Sequence, residues 1–385
     1  MKKHFLLTFI AFSLITHLAF SQDTTYARKI IKKLTSPEML GRGYVNNGVN
    51  KAAAFLVKEI KTIGLQKFGK SYSQAYNFSV NTFPTSTAVS VNGKTLIAGK
   101  HYLIDPTATT KKMGYQLFKT DSVTYQAIDG KQKAPVKVVL RKKLTYTVAT
   151  KTESVTTVEL LKDSFLNELT TIDLQFENKF IPKFQCQNIC GFIKGTQQPD
   201  SFLVFTAHYD HLGAMGKDAY FAGANDNASG VSVLLNLAKY YKIHPSKYSI
   251  AFIFFSGEEA GLLGSKYYSE QPLFSLQKIK FLTNLDLLGT GDDGAMVVNA
   301  HTFTNDFEKL NTINENKQYL KQLKKRGKAA NSDHYWFTEK GVPSFFIYTM
   351  GGIQAYHDIY DVEKTLPLTD YVDACKLLID FYNQF

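Results

Sequence analysis

Two adjacent carboxylates at the end of an apolar run are the first residues in this sequence that could do chemistry. The stretch IAFIFFSGEEAG at 250–261 contains Glu258 and Glu259. Two such carboxylates repel each other unless a positive charge lies between them. Adjacent side chains at a strand end point in different directions, so one can bind a cation while its neighbour faces water. The pair therefore predicts a metal centre with a general base beside it.

Other His and Asp residues follow further apolar runs. The run FLVFTA precedes His208, FLTNL precedes Asp286, the loop GANDNASG contains Asp226, and the segment AYHDIYD contains His357. Each residue alone has an ordinary interpretation, such as a helix cap, a turn or a hydrogen-bonded core histidine. Since ligands bind beyond the carboxyl ends of the strands in an open α/β sheet, we expect these side chains on one rim.

The residue types favour zinc. Two His and several carboxylates without a thiolate are typical of catalytic rather than structural zinc sites. Two ions about 3.5–4 Å apart need one bridging carboxylate and roughly two further protein ligands each. Five ligands meet this need, and one carboxylate remains as a base. Cobalt and manganese accept the same ligands, so the native metal stays open.

The stretch 181–385 alternates short apolar runs with helical patterns and must position these residues. FLVFTAHYD, SIAFIFFSGEE, KIKFLTNLDLLG and PSFFIYTM are typical of buried strands, and GVSVLLNLAKYYKIH is typical of an amphipathic helix. Continuous apolar strands separated by such helices indicate an α/β fold. We predict a mixed, mostly parallel sheet covered by helices on both faces, which forms the catalytic core at 181–385.

Two further parts precede this core. Residues 22–65 are predicted to be an N-terminal helical part of the same domain, with Gly64 at the C-terminal cap of a helix. Residues 66–180 are rich in Thr, Val, Tyr and Lys, and Asn92-Gly93 between alternating segments predicts a hairpin. We interpret this block as a β-rich insertion and assign no catalytic residue to it.

The first 21 residues have the pattern of a secretory signal peptide. Lys2 and Lys3 precede an apolar stretch that ends in the small-x-small pattern Ala19-Phe20-Ser21. No later stretch approaches 18 uninterrupted apolar residues, so no stable membrane insertion is predicted. We therefore expect an exported protein, either periplasmic or secreted, with residues 1–21 removed.

Charge and cysteine content exclude two further classes. The formal net charge is +12, but the basic residues are scattered, and the densest cluster, KQLKKRGK at 321–328, is interpreted as a solvated helix end and loop. Nucleic-acid binding is therefore not predicted. Cys186, Cys190 and Cys375 are too few for a disulfide framework and are predicted to be small buried side chains.

Several separate motifs together resemble a known family. HYDH, GANDNASG, FFSGEEAGLLGS, NLDLLG, SDHYWF and AYHDIYD resemble the exported dizinc aminopeptidases, of the aminopeptidase Y and bacterial leucyl aminopeptidase type. The resemblance covers about 190–385 and, more weakly, GRG at 41–43 with the first helix. It does not cover 66–180. It implies that His208 and Asp286 ligate one zinc ion, that Glu259 and His357 ligate the other, and that Asp226 bridges them.

The resemblance also implies roles beyond the ligands. Glu258 would be the general base that takes a proton from the water shared by two zinc ions. Asp210 would orient the His208 imidazole. Tyr356 would donate to the oxyanion. The motif Ser332-Asp333-His334 would support the pocket.

The sequence departs from the family pattern in two places. Asp358 follows the last ligand where a Thr is common, which leaves Asp361 as the expected supporting partner there. The stretch HLGAMGKDAYFAG at 211–223 is longer than in the shortest members and could reshape the pocket rim.

Three functions compete at this point. The first is an aminopeptidase acting on peptides with a free N-terminus. The alternative is a zinc-dependent glutaminyl-peptide cyclotransferase on the same fold, whose members use one zinc ion and tend to carry Trp where this chain has Tyr356. The third is a binding module without metal. Counting the metal ions would separate them, whereas the preferred N-terminal residue and the oligomeric state stay open.

Overall fold

A computed structural model of the chain describes residues 24–129, 135–165 and 167–385. The predicted signal peptide at 1–21 lies outside the described residues. Within them, two large sheets and one small hairpin make up the strands. No helix in these ranges has the length and apolar character needed to cross a membrane.

The α-helices lie in two groups along the chain, and most of the strands lie between these groups. The α-helices are α1 Thr24–Leu34, α2 Gly48–Ile63, α3 Gly230–Ile243, α4 Leu263–Glu270, α5 Thr304–Lys317, α6 His334–Glu339 and α7 Tyr371–Tyr382. The strands are β1 Ser73–Thr82, β2 Ala88–Val91, β3 Lys94–Thr95, β4 Tyr102–Ile104, β5 Lys111–Lys119, β6 Thr124–Ile128, β7 Val136–Arg141, β8 Thr156–Leu161, β9 Thr171–Phe176, β10 Lys179–Ile193, β11 Gln198–His208, β12 Gly213–Met215, β13 Ala219–Phe221, β14 Tyr248–Phe255, β15 Ile279–Leu285, β16 Ala295–Val298, β17 Leu323–Lys325 and β18 Ser344–Thr349.

The larger sheet has the strand order β1-β10-β14-β11-β15-β18-β16-β17. Its centre, β14-β11-β15-β18, is parallel, whereas β1-β10, β10-β14 and β16-β18 are antiparallel. Side chains of β11 alternate between two cores: Leu203 and Phe205 pack with residues of α2, α3 and α7, and Phe202 and Val204 with residues of α4 and α6. The predicted mixed α/β sheet with helices on both faces is confirmed.

Local sequence signals explain some of these elements. Gly64 ends α2 with φ 87°, a left-handed conformation that favours glycine, and its N–H donates to the Ile60 carbonyl at 3.1 Å. The predicted helix of GVSVLLNLAKYYKIH is α3. The interpretation of 321–328 as a helix end was wrong. Leu323–Lys325 instead pairs in parallel with β16 as an edge strand, where Lys side chains are common.

The predicted β-rich block forms a second sheet with the order β3-β2-β9-β5-β6-β7-β8-β4 and its own core. The predicted hairpin at Asn92-Gly93 is present, with Val91 opposite Lys94. The second sheet spans 88–176, whereas β1, inside the predicted block 66–180, pairs with β10 in the larger sheet. The alternation of polar and apolar residues in β1 predicts a strand, but it does not tell which sheet the strand joins.

The long stretch at 211–223 connects the two sheets. It forms the hairpin β12-β13, whose Met215 and Phe221 side chains belong to the core of the second sheet. Tyr146 of the insertion stacks on Phe221 with ring centroids 4.7 Å apart. Burial of these apolar side chains therefore directs the stretch toward the insertion, and it is not among the described residues that line the site cavity.

Candidate metal centre and active site

Parallel strand ends bring three predicted site residues to one edge. His208 is opposite Phe255 at the ends of β11 and β14, and Thr206 is opposite Asn284 in β15. Because neighbouring parallel strands end at the same edge of the sheet, His208, Asp286 and the Glu258 loop lie close together. Donor atoms of His208, Glu258 and the adjacent Glu259 lie within 4.8 Å of one another.

Asp226 lies between two groups of donor atoms. Its Oδ1 is 3.3 Å from His208 Nε2, which is in turn 3.4 Å from Asp286 Oδ1. Its Oδ2 is 3.2 Å from His357 Nε2, which is 3.3 Å from Glu259 Oε2. One oxygen therefore faces each group, which is the arrangement that a bridging carboxylate needs. The structure thus brings together all five residues assigned as ligands.

The donor atoms fit a pair of divalent cations such as zinc. They are imidazole nitrogens and carboxylate oxygens without a thiolate, the set typical of catalytic zinc. Asp286 Oδ1 is buried and accepts no hydrogen bond of good geometry among the residues that the structure describes, although His208 Nε2 lies 3.4 Å from it. Buried carboxylates crowded together are costly unless a positive charge compensates them.

The sequence-based assignment missed His211. Its Nδ1 is 2.7 Å from Glu259 Oε1 and 3.9 Å from Asp226 Oδ1, and its ring is fully buried. The donor atoms of these three residues also lie within 4.8 Å of one another. His211 is the last residue of the motif HYDH, three after His208, so this spacing was the signal available. It contacts the Glu259 oxygen that does not face His357.

Asp210 connects the His208 ring to the Glu258-Glu259 backbone. His208 Nδ1 is 3.2 Å from the Asp210 carbonyl oxygen and 3.7 Å from its carboxylate Oδ1, so the carbonyl is the closer partner. The Asp210 carboxylate accepts the N–H groups of Glu258 and Glu259, each at 3.3 Å. The Tyr44 hydroxyl donates to the same carboxylate at 2.6 Å.

The Asp226 loop is held from both sides. Buried Arg42 donates to the carbonyl oxygens of Gly223 at 2.8 Å and Asp226 at 3.2 Å. The Asp361 carboxylate accepts the N–H groups of Asn225 at 2.8 Å and Asp226 at 3.0 Å. Asp361 was expected to support His357, the last predicted ligand. It instead binds the backbone at Asp226, the predicted bridging residue. Arg42 was not assigned, although GRG at 41–43 was part of the resemblance.

The pKa values of the site carboxyl groups are pushed apart. Burial raises the pKa of Glu258 well above its usual range, with His208 opposing and Glu259 adding to the rise. Burial alone would also raise the pKa of Asp226, but hydrogen bonds with His208 and His357 hold it well below the usual range. Burial lowers the pKa of His357, whereas Glu259 and Asp226 raise it. The raising effects win, and the pKa reaches about 9. The pKa values of Asp226 and Glu258 are therefore shifted in opposite directions.

The motif Ser332-Asp333-His334 packs under Asp286. The Ser332 hydroxyl donates to Asp286 Oδ2 at 3.2 Å and accepts from Asn284 Nδ2 at 2.8 Å. Thr206 Oγ1 donates to Asn284 Oδ1 at 2.7 Å, which extends this series of buried hydrogen bonds to β11. Burial raises the pKa of Asp333 to about 7. Ser332 therefore contacts a predicted metal ligand, and the supporting role of the whole motif stays a prediction.

Tyr356 lies at the wall of the site cavity. Its ring stacks on the His357 ring with centroids 4.0 Å apart, and the residue is 47% exposed. Donation from Tyr356 to an oxyanion stays a prediction. The cavity has a volume of about 250 Å³, and it is lined by His208, Asp226, Glu258, Asp286, Leu287, Arg326, Asn331, Phe346, Tyr348, Tyr356 and His357.

These features are those of a metallopeptidase site, and comparison with known proteins gives the family. Residues 188–381 match Peptidase family M28, and the chain belongs to this family. The curated protein Aminopeptidase YwaD of Bacillus subtilis is 36% identical over 168 residues, 41% of this chain and 34% of that protein. A probable zinc metalloprotease of Pyricularia oryzae is 30% identical over 117 residues, 30% and 23% of the two chains. The chain thus matches about a third or less of the length of these relatives.

Solved structures share the fold. The zinc aminopeptidase BSAP of Bacillus subtilis has a TM-score of 0.69 at 20% identity, covering 94% of this chain and 95% of that chain. A peptidase M28 precursor of Shewanella amazonensis has a TM-score of 0.72 at 15% identity, with coverage of 94% and 93%. A Bacteroides thetaiotaomicron glutaminyl cyclase has a TM-score of 0.55 at 14% identity, with coverage of 95% and 99%. At these identities the likeness shows the fold alone.

Proposed function

We propose that this protein is an exported zinc-dependent aminopeptidase that removes N-terminal residues from peptides. The position of Asp226 is the main support, because one of its oxygens faces His208 and the other faces His357. This is a donor arrangement for two ions. The cavity of about 250 Å³ is small for an extended peptide and suits the end of a chain.

The comparisons support the same function. Family M28 is a peptidase family, and the curated relative from Bacillus subtilis is named as an aminopeptidase. The relative from Pyricularia oryzae is named as a zinc metalloprotease. The match to the family includes every residue assigned to the metal centre or to catalysis.

The proposed metal sites use the two donor groups around Asp226. His208 and Asp286 with Asp226 would hold one zinc ion, and His357 and Glu259 with Asp226 would hold the other. When bound, zinc supplies Lewis acidity, which lowers the pKa of water and polarises a peptide carbonyl. His211 would contact Glu259 from the side away from His357.

Glu258 carries the proton in the proposed reaction. Its carboxylate takes a proton from the attacking water and returns that proton to the leaving amine nitrogen. The Asp210 carboxylate holds the Glu258 N–H, which fixes the direction of the base. The Tyr356 hydroxyl donates to the oxyanion as the carbonyl becomes tetrahedral.

A panel of aminoacyl p-nitroanilides, with metal counting, tests this function. We expect zinc-dependent release of p-nitroaniline, loss with a chelator, recovery with added zinc, and about two zinc ions per chain. The N-acetylated substrates are the matched control and should not be cleaved. Cyclisation of glutaminyl peptides with about one zinc ion per chain, and no p-nitroaniline release, would contradict the proposal.

Export is tested separately. The charged and apolar pattern of residues 1–21 supports removal of a signal peptide during secretion. Expression of the full chain, followed by fractionation and N-terminal sequencing, should find a mature protein outside the cytoplasm that begins near Gln22. An uncleaved chain in the cytoplasm would contradict export and leave the peptidase proposal standing.

A further inference from the structure

Arg326 lies in the wall of the cavity that contains the predicted metal ligands. Among the described residues that line this cavity, it is the only Lys or Arg. It directly follows β17, and its N–H donates to the Val297 carbonyl at 2.9 Å, which fixes its backbone at the sheet edge. Its Nη1 is 3.4 Å from the Tyr348 hydroxyl, so the guanidinium lies against a residue of the same wall.

Arg326 has no carboxylate partner among the described residues, unlike Lys325 and Lys328. Lys325 pairs with Glu308 at 2.6 Å, and Lys328 pairs with Glu339. Within the described ranges, no carboxylate forms a salt bridge with the Arg326 guanidinium. A guanidinium keeps five N–H donors in a planar fork and stays charged at every working pH. Its donors other than the one that faces Tyr348 are therefore available to a ligand in the cavity.

The surroundings of Arg326 suit a carboxylate with a short apolar stem. Arg binds carboxylates through two parallel hydrogen bonds, which are stronger than those between neutral groups. The Tyr348 hydroxyl and the Asn331 amide lie in the same wall as additional polar groups, and Leu287 and Phe346 offer apolar surface. The cavity of about 250 Å³ keeps such a carboxylate close to the site of cleavage.

We propose that Arg326 is a specificity-determining residue that binds a substrate carboxylate within about one residue of the cleaved bond. The proposal rests on the aminopeptidase function and names its substrate class. The carboxylate is either the side chain of an acidic N-terminal residue or the free C-terminus of a dipeptide. The carboxylates of Asp226, Glu258 and Asp286 would oppose such a ligand, whereas bound divalent cations reverse the sign of the local charge.

Two matched substrate pairs test the proposal in the zinc-loaded full chain. The first pair is glutamyl and glutaminyl p-nitroanilide, and the second is leucyl-glycine and leucyl-glycinamide. We expect Arg326→Gln to lower kcat/KM about 10- to 100-fold for the carboxylate member of one pair and less than about 3-fold for its neutral partner. Lys324→Gln, an exposed residue of β17 outside the cavity, should leave both pairs unchanged.

The pair that responds identifies the source of the carboxylate. A loss confined to the glutamyl substrate assigns Arg326 to the N-terminal side chain, and a loss confined to leucyl-glycine assigns it to the C-terminus. Equal changes for charged and neutral members of both pairs would overturn the proposal. Arg326→Lys keeps the positive charge but lacks the planar set of N–H donors. It should therefore retain only part of the preference for the carboxylate substrate.

A binding measurement separates this proposal from the proposed function. If the wild type cleaves no substrate, the aminopeptidase function fails, and calorimetry with glutamic acid α-amide and glutaminamide decides about Arg326. A preference for the acid that Arg326→Gln removes supports the carboxylate site. Equal binding of the two amides by the wild type, with the dipeptide pair also bound equally, overturns it.

Discussion

The two donor groups that meet at Asp226 are built in different ways. His208 and Asp286 lie at the ends of neighbouring parallel strands, β11 and β15, in the centre of the larger sheet. His357 lies in the loop after β18, with a left-handed φ of 53°. Strand pairing fixes the first group directly, whereas a loop residue needs contacts from other parts of the chain. We call these the strand half and the loop half of the site.

The insertion supplies contacts around His357 in the loop half. The Tyr146 N–H donates to the His357 carbonyl at 2.8 Å. Lys143 Nζ donates to the Gln354 carbonyl at 2.9 Å and pairs with Asp358 Oδ2 at 3.1 Å. Ile359 packs against the core of the second sheet. None of the described residues of the insertion lines the cavity. The insertion nevertheless positions His357, a predicted metal ligand.

The strand half is supported inside the larger sheet. Ser332 donates to Asp286 Oδ2, and Asn284 and Thr206 extend this chain of buried hydrogen bonds. None of these residues belongs to the insertion. Changes in the insertion should therefore affect the loop half alone. Changes in the buried hydrogen bonds of Ser332, Asn284 and Thr206 should affect the strand half alone.

Glu258→Gln should have the largest effect on activity, because it removes the proton acceptor and leaves both halves intact. We expect kcat to fall about 10²- to 10⁴-fold while zinc content stays at the wild-type value. Steady-state kinetics and metal analysis check this. Glu270→Gln, an exposed residue at the end of α4, is the matched control. Turnover near the wild-type rate would refute the assignment of the base.

Asp226→Asn should have the next largest effect, since it changes the residue that joins the two halves. An amide presents one oxygen instead of two, so both zinc ions should be released more readily, by more than about 100-fold in apparent affinity. Competition with a chelator measures this release. Asp218→Asn, in the exposed turn between β12 and β13, is the control. Unchanged affinity for both ions would contradict a shared Asp226.

The strand half could be predicted from the sequence more completely than the loop half. His208 and Asp286 follow apolar runs directly, and the rule that parallel strands end at one edge places them together. Their distant supports could not be predicted in this way. Arg42 and Tyr44 contact the site from the N-terminal segment, and tertiary packing alone decides that they reach Asp226 and Asp210.

The loop half depends on the part of the sequence that was hardest to interpret. The hairpin at Asn92-Gly93 was recognisable from its turn residues, but nothing local shows that Tyr146 reaches the His357 carbonyl. The separation of 211 positions between these two residues makes the contact invisible to any short pattern. Likewise, Leu323–Lys325 became a strand because β16 was available to pair with it.

Ser332→Ala should weaken the strand half. It removes a buried donor from the Asp286 carboxylate, and outer partners of metal ligands typically contribute about 10- to 100-fold in affinity. We expect one of the two zinc ions to bind about 10-fold more weakly, with the other unchanged. Stepwise chelator competition measures this. Ser269→Ala, which removes a hydroxyl that donates to the Lys266 carbonyl in α4, is the control. Equal weakening of both ions would contradict a separate strand half.

Lys143→Met should have the smallest effect and should act on the loop half alone. The Lys143 side chain is 49% exposed, so its pairing with Asp358 contributes little, and we expect about 2- to 5-fold weaker binding of one zinc ion. Lys143→Arg should restore binding, and Lys142→Met, also exposed, should have no effect. Because the two halves have separate supports, the free-energy changes of Ser332→Ala and Lys143→Met should add in the double variant. A non-additive result in the chelator titration would mean that the insertion also acts on the strand half.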